Sequence, residues 1–281
     1  MTKRCLVAGS PIAHSRSPMI HGHWIGALGL DAEYGRREVT PATLPALLDE
    51  LRTGAVHGAN LTVPLKEAVV PLLDRLTPEA KAMGAVNTLF MADGALTGTN
   101  TDVPGFFAHL DEAQPGWDVA PGDALILGAG GAARAIAYGL LQRGLGEVKL
   151  CNRSPERAKA LAEGLGGRSA SIAWPPRTDE LGKARLVVNA TSLGMRGQPP
   201  LVLDWPLRLD GQIACDIVYD PLETGFLMEA RARGASCVDG LGMLLHQAAL
   251  AFGHWFAVTP AVTPVLRALV EADLQASGPR G

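Results

Sequence analysis

Short apolar runs bounded by turn residues recur along the chain, and most are followed by a stretch with helical spacing. RCLVAG (Arg4–Gly9) predicts a buried strand, after which Gly9-Ser10-Pro11 turns the chain. Ser17-Pro18 opens a helix whose apolar face is Met19, Ile20, Trp24, Ile25 and Leu28. Ser17 can cap that helix and Pro18 can hold its first position. Ala32–Val39 predicts a second strand, Leu44–Leu51 a helix and Val56–Val63 a third strand. Pro64 then marks the start of another helix, running through EAVVPLLDRL. AMGAVNTLFMADGALTGTNTD folds back on Asp93-Gly94, a strong hairpin signal. Strand and helix in alternation predict a mainly parallel sheet with helices on its faces.

Val103–Leu110 reads as helix, and Asp111–Gly122, rich in proline and glycine, as a linker or turn region. From Ala124 the alternation becomes more regular. ALILGAGGAARAIAYGLLQRG is strand, glycine turn and helix, and EVKLCNRSPERAKALAEGL repeats strand, turn and helix. ARLVVNATSLGM and QIACDIVYD are further strands, ETGFLMEARARG is helical and ASCVDG is a short last strand. Such a series predicts a doubly wound nucleotide-binding fold. From Leu241 the pattern is helical, and the tail from Ala276 to Gly281 is expected to be disordered.

Composition narrows the function. The 281 residues are 47% apolar and 19% charged, as expected of a globular chain with one large or two ordinary domains. A formal net charge of -3, without a basic stripe, argues against a nucleic-acid binder. Cys5, Cys151, Cys215 and Cys237 lack metal-like spacing and are expected to be reduced thiols. The N-terminal apolar run is broken at Gly9, Ser10 and Pro11, unlike a signal peptide. The longest apolar stretch, Leu241–Val258, carries His246, Gln247 and His254, so no membrane span is expected and the placement is cytoplasmic.

Two stretches carry candidate chemistry. Gly128-Ala129-Gly130-Gly131-Ala132-Ala133 follows an apolar strand and opens a helix, the context of a dinucleotide turn. Gly128 permits the turn, Gly130 lets backbone approach a pyrophosphate, and Ala133 permits close helix–sheet contact. About 20 residues on, NAD-binding folds place an acid for the ribose hydroxyls. This chain has Asn152-Arg153-Ser154 there, with Arg157 a turn later, and guanidinium groups suit a 2′-phosphate. The expected cofactor is NADP. The alternative is that both arginines are solvated charges at a helix start. The second stretch is ANLTVPLK (Ala59–Lys66). It places Lys66 in a first helical turn beside Asn60 and Thr62, where positive potential favours a neutral amine able to exchange protons. A surface lysine reaching into solvent is the bland alternative.

These stretches, in order, resemble the shikimate dehydrogenase family across nearly the whole chain. The resemblance rests on GSPIAHSRSPMIH (Gly9–His21), ANLTVPLK, GAVNT (Gly84–Thr88), GTNTDVPGF (Gly98–Phe106), GAGGAARA (Gly128–Ala135), NRSPERA (Asn152–Ala158), NATSLGM (Asn189–Met195), DIVYDPLET (Asp216–Thr224) and GLGMLLHQAALAF (Gly240–Phe252). It implies a two-domain α/β protein. An N-terminal substrate domain (residues 1–103) is completed by C-terminal helices (residues 241–281), and a Rossmann-type, doubly wound NADP-binding domain (residues 104–240) lies between them in sequence. The implied active site is the cleft between domains. The implied activity is reversible, NADPH-dependent reduction of 3-dehydroshikimate to shikimate in aromatic amino acid biosynthesis.

The resemblance also implies roles. Lys66 and Asp102 match the catalytic pair. Ser15 and Ser17 match the serines that bind the substrate carboxylate, although Ser17 is also a candidate cap. Asn60, Thr62, Asn87 and Gln247 match substrate-binding positions, and Tyr219 a residue that reaches substrate or cofactor. Gly128, Ala129, Gly130, Gly131, Ala132, Asn152, Arg153, Arg157, Thr191, Gly240 and Met243 match cofactor positions; Met243 is equally well explained by core packing. Asp102 alone would also read as a helix cap before Val103-Pro104. One departure is His21-Gly22, where the family often has His-Asn. The partner implied is a small-molecule substrate, taken by a monomer or homodimer. Two rivals stay open: a quinate or quinate/shikimate dehydrogenase using NAD(P), and a non-catalytic ligand sensor.

Overall fold

A computed structural model of the chain describes residues 2–119 and 122–276. The first half runs β1 (Lys3–Gly9), α1 (Ser17–Ala27), β2 (Ala32–Glu38), α2 (Leu44–Thr53), β3 (Gly58–Leu61), α3 (Leu65–Ala68), β4 (Arg75–Leu76), α4 (Pro78–Met83), β5 (Thr88–Ala92), β6 (Ala95–Thr99) and α5 (Asp102–Ala113). The second half runs β7 (Ala124–Leu127), α6 (Gly131–Gln142), β8 (Val148–Cys151), α7 (Pro155–Leu165), β9 (Ser169–Ser171), α8 (Thr178–Lys183), β10 (Leu186–Asn189), β11 (Ile213–Asp216), α9 (Gly225–Ala232), β12 (Ser236–Val238), α10 (Gly240–Phe256) and α11 (Pro264–Ala276). The described residues form two compact units, residues 2–105 with 245–273, and residues 106–119 and 122–244 with 274–276. Of the tail expected to be disordered, Ala276 closes α11 and residues 277–281 lie outside the described residues.

In the first unit a six-stranded sheet has the order β2-β1-β3-β5-β6-β4. β1 pairs in parallel with β2 and β3, but β5 runs antiparallel to both β3 and β6. The sheet is therefore mixed rather than mainly parallel. The cause is the hairpin at Asp93-Gly94, whose φ values of 48° and 74° give the two left-handed residues of a tight two-residue turn. Leu44, Leu47, Leu48 and Leu51, at helical spacing on α2, are buried with Ala59, Leu61, Leu89 and Leu96 of the strands. Further along, Trp255 packs its indole over β3 and donates its N–H to the carbonyl of Leu89 at 3.0 Å. A Cβ at Gly58 would overlap that ring, so the glycine admits it.

The second unit carries the sheet β12-β11-β10-β7-β8-β9, parallel throughout. Read from β9, strands of this unit follow the order 3-2-1-4-5-6 of a doubly wound dinucleotide fold, with the switch point between β7 and β10. Strands β7 and β10 are buried at every position, as expected for a sheet covered on both faces. Of the stretch expected to be a linker or turn, residues 114–119 form a packed turn: Trp117 is 3% exposed, stacks on Phe107 and donates to Asp111 at 2.8 Å. Arg143 closes this corner, bonding both Asp111 carboxylate oxygens at 2.6 and 2.7 Å. Ala120 and Pro121 of that stretch lie outside the described residues.

Trp255→Ala should lower the unfolding free energy by about 3–5 kcal/mol, the range for removing a buried large aromatic. A urea titration reads this as a lower midpoint; a loss below about 1 kcal/mol would contradict the packing described.

Candidate functional site

The C-terminal end of β3 delivers Asn60, Thr62 and Lys66 to one place. The helix expected to run through EAVVPLLDRL is only the single turn α3, followed by a 3-10 turn at Val70–Leu72 and then β4. Pro71 lacks the amide that a continuing helix needs. Pro64 caps α3 rather than occupying its first position. A four-residue helix has little dipole, so the field expected to favour a neutral amine at Lys66 is not provided by α3. Lys66 instead meets a carboxylate. Its Nζ donates to Asp102 Oδ2 at 2.6 Å, and the side chains are 31% and 23% exposed, so both are reachable from solvent.

Asp102 is held from its other side. Asn87 Nδ2 donates to Asp102 Oδ1 at 2.8 Å, while Asn100 Oδ1 accepts the Asp102 amide at 3.0 Å. Asp102 is thus the first residue of α5 rather than its cap, and Asn100 takes up its amide. Asn87 is 2% exposed; its Oδ1 accepts from Thr88 Oγ1 at 2.9 Å and from the Thr101 amide at 2.9 Å. Asn60, also buried, donates to the Asn87 carbonyl at 3.1 Å and to Thr88 Oγ1 at 3.0 Å. Gln247 Oε1 lies 3.5 Å from both Asn87 Nδ2 and Thr101 Oγ1. Gly105 sets that approach: a Cβ there would lie 2.6 Å from the Gln247 amide nitrogen.

Asn60, Lys66, Asn87, Asp102 and Gln247, chosen from sequence, therefore share one hydrogen-bonded constellation. Thr88 and Thr101 belong to it and were missed. Their signal was present as Asn-Thr pairs at the paired ends of the β5–β6 hairpin, where Thr88 faces Thr99. Thr62 lies at the end of β3, its amide bonded to the Ala8 carbonyl at 2.9 Å. Ser15 and Ser17 lie at the start of α1. Arg16 is the cap residue and makes no side-chain cap bond, while Ser15 Oγ accepts the Ser17 amide at 3.3 Å. Ser17 is thus the first helical residue and not the cap.

In the second unit, the glycine turn joins β7 to α6 at the sheet's switch point. Gly128 has φ 119°, and a Cβ there would lie 3.0 Å from the Ala190 carbonyl oxygen, so a side chain is excluded twice over. Gly130 and Gly131 face open space, and α6 begins at Gly131 with its first amides directed outward. Ala129 and Ala132 complete the turn, and Ala133 is fully buried against the sheet. Asn152 donates to the Ser154 carbonyl at 3.1 Å, shaping the turn after β8. Arg153 and Arg157 are exposed and form no ion pair among the described residues. An open glycine cradle at a helix N-terminus and two uncommitted guanidinium groups fit a dinucleotide with an added phosphate.

The loops after β10 and β11 are tied by a buried carboxylate. Asp216 is 2% exposed and accepts from Asn189 Nδ2 at 3.0 Å, the Val218 amide at 2.9 Å and Thr224 Oγ1 at 2.7 Å. Asn189 Oδ1 accepts from Thr191 Oγ1 at 2.7 Å, so the network orders the loop that carries Thr191. Burial pushes the Asp216 carboxyl up to about 6, against the pull of those three hydrogen bonds. Tyr219 follows Val218 on the same loop, half-buried. Gly240 packs against that loop's backbone, where a Cβ would lie 2.5 Å from the Val218 carbonyl oxygen; Met243 is half-buried on α10.

Comparison with known proteins places these features in a family. Residues 7–89 match the profile described as the shikimate dehydrogenase substrate binding domain, residues 112–194 that of shikimate/quinate 5-dehydrogenase, and residues 240–270 the shikimate 5'-dehydrogenase C-terminal domain. The chain is 48% identical to shikimate dehydrogenase (NADP(+)) of Azorhizobium caulinodans over 99% of both chains. It is 52% identical to the protein of the same name from Methylobacterium radiotolerans, over 97% of this chain and 98% of that one. Among solved structures, shikimate 5-dehydrogenase of Thermus thermophilus in complex with NADP(H) and shikimate aligns with a TM-score of 0.84 at 42% identity, covering 97% and 99% of the two chains.

Two outcomes follow from this geometry. The Asp216 carboxyl titrates higher in the folded chain than its unfolded value near 3.8, so its linked stabilisation is complete below that value and is lost as pH rises through about 6. The unfolding free energy of the wild type minus that of Asp216→Asn should therefore fall by up to about 3 kcal/mol between about pH 4 and pH 7. A difference that is flat or rises with pH contradicts the assignment. Gly105→Ala should raise KM and lower kcat together by displacing the backbone at Gln247, with a Tm drop of a few degrees. Unaltered kinetics would show that this close approach does not matter.

Proposed function

This chain belongs to the shikimate dehydrogenase family, and from that premise we propose that it catalyses the reversible NADPH-dependent reduction of 3-dehydroshikimate to shikimate. The observation that carries the reading is the 2.6 Å bond between Lys66 Nζ and Asp102 Oδ2, at a pair still reachable from solvent. Reducing a ketone builds negative charge on its oxygen, and that charge needs a proton or a strong donor. Lys66 supplies it. Asp102 holds the ammonium in place, and its second oxygen is fixed by Asn87, so the pair is oriented before substrate arrives.

The substrate is a polyol acid, and short polar side chains suit it. Asn60, Thr62, Asn87 and Gln247 offer donors and acceptors to its hydroxyls, and the hydroxyls of Ser15 and Ser17 take its carboxylate. Tyr219 reaches substrate or cofactor from the loop after β11. The hydride is supplied by NADPH when bound. The backbone of Gly128–Ala132 takes the pyrophosphate, while Asn152, Arg153 and Arg157 take the 2′-phosphate. Thr191, Gly240 and Met243 border the nicotinamide end. No helix among the described residues is long and apolar enough to cross a membrane, and the proposed reaction belongs to aromatic amino acid biosynthesis.

Lys66→Ala should lower kcat by roughly 10²- to 10⁴-fold, the range for a lost acid–base group. Steady-state assay with shikimate and NADP checks this, and unchanged turnover ends the proposed role. Arg153→Ala should erase most of the preference for NADPH over NADH; a preserved ratio of kcat/KM values contradicts the assignment of the 2′-phosphate to this turn.

A further inference from the structure

Tyr34 lies on the edge strand β2, outside every motif assigned a role above. Its hydroxyl donates to Asn60 Oδ1 at 2.7 Å. Both amide protons of Asn60 are already committed, to the Asn87 carbonyl and to Thr88 Oγ1. The Tyr34 bond therefore fills one of the two lone pairs of Oδ1, and no second donor bonds it among the described residues, although the His21 ring lies beside the same side chain. From Asn60 the bonding continues through Thr88 to Asn87, from Asn87 to Asp102, and from Asp102 to Lys66. Tyr34 is the far end of an unbroken hydrogen-bonded chain that finishes at the lysine.

The ring itself is held firmly. It stacks on His21 with centroids 4.1 Å apart and an interplanar angle of 14°, and Trp255 lies 5.8 Å away. His21 is fully buried, and burial pulls it down to about 3, so it presents a flat, uncharged face. Burial pushes the Tyr34 hydroxyl well above the usual tyrosine range, with the neighbouring Ser17 side chain opposing. Tyr34 thus keeps its proton across the working pH range and acts as a fixed donor.

We infer that Tyr34 is a positioning residue for substrate binding, whose hydroxyl orients the Asn60 side chain so that one lone pair of Oδ1 is presented to a substrate hydroxyl. The inference rests on the reading of Asn60 as a substrate-binding residue. Asn60 is 6% exposed, so removing the donor leaves its oxygen short of a partner in a place with little water. The amide then turns to find another donor, and the substrate meets a misaligned acceptor.

The test compares Tyr34→Phe, Asn60→Ala and the double variant with the wild type. Tyr34→Phe keeps the ring on His21 and deletes only the hydroxyl. It should raise KM for shikimate about 5- to 10-fold, as expected for one buried hydrogen bond. The kcat and the KM for NADP+ should stay within about two-fold, a split that general loosening of the fold would not produce. In the Asn60→Ala background the same change should add less than about two-fold, because its target is gone. If Asn60→Ala raises KM for shikimate but Tyr34→Phe does not, the inference is overturned while the binding role of Asn60 stands. A full, independent effect of Tyr34→Phe in the Asn60→Ala background also overturns it. If Asn60→Ala leaves KM unchanged, the binding role of Asn60 fails and the inference with it. Should Tyr34→Phe not fold, proton NMR of the wild type decides. A slowly exchanging Tyr34 hydroxyl proton, with Asn60 side-chain amide signals that move on adding shikimate, supports the inference. A hydroxyl exchanging freely with solvent refutes it.

Discussion

An ammonium and a carboxylate only partly shielded from water contribute little if left to find each other. Lys66 and Asp102 are different because neither is left to itself. Thirty-six residues separate them, and each stands at the end of a strand: Lys66 on the turn after β3, Asp102 on the turn after β6. β5 lies between β3 and β6 in the sheet, so pairing of backbones sets the distance between the two ends. Asn87 enters just before β5 and bonds the carboxylate from the middle. Sheet register thus sets the geometry of the charge pair, and buried amides and hydroxyls hold its orientation. Chemistry at a carbonyl profits from this because little reorganisation is required when charge develops.

The second unit uses the same device for a different end. A parallel sheet places its loops at the carboxyl ends of the strands, and those loops must be stiff to hold a dinucleotide. Asp216 gathers donors from Asn189, Val218 and Thr224, tying the ends of β10 and β11 together. Arg196 adds an ion pair to Asp220 between the same two loops, at 2.7 Å. In both units, polar groups withdrawn from water are bonded to one another.

Much of this was legible in the sequence, for reasons that differ by element. The β5–β6 hairpin was plain because Asp93-Gly94 can adopt two consecutive positive φ values at little cost. The second sheet was plain because buried parallel strands need continuous apolar runs such as ALIL and LVVN. β4 and β9 were invisible, since strands of two and three residues with no apolar run leave no periodic signal. Apolar spacing after Lys66 predicts a longer helix than forms, because Pro71 ends it. Lys66, Asp102, Asn60 and Asn87 were found through motifs, but that Asn87 bonds the carboxylate was not. Thr88, Thr101 and Tyr34 were passed over because threonine and tyrosine on strands are expected for packing alone. Their hydrogen-bond partners lie on other strands, which spacing along one chain does not reveal.

The central claim is that Lys66 and Asp102 act as one unit on the reacting oxygen. A double-mutant cycle on kcat, using Lys66→Met, Asp102→Asn and the combined variant, tests it most directly. The account predicts strong non-additivity, with the combined loss no larger than about that of the worse single variant. Two independent losses that multiply in the combined variant would contradict it.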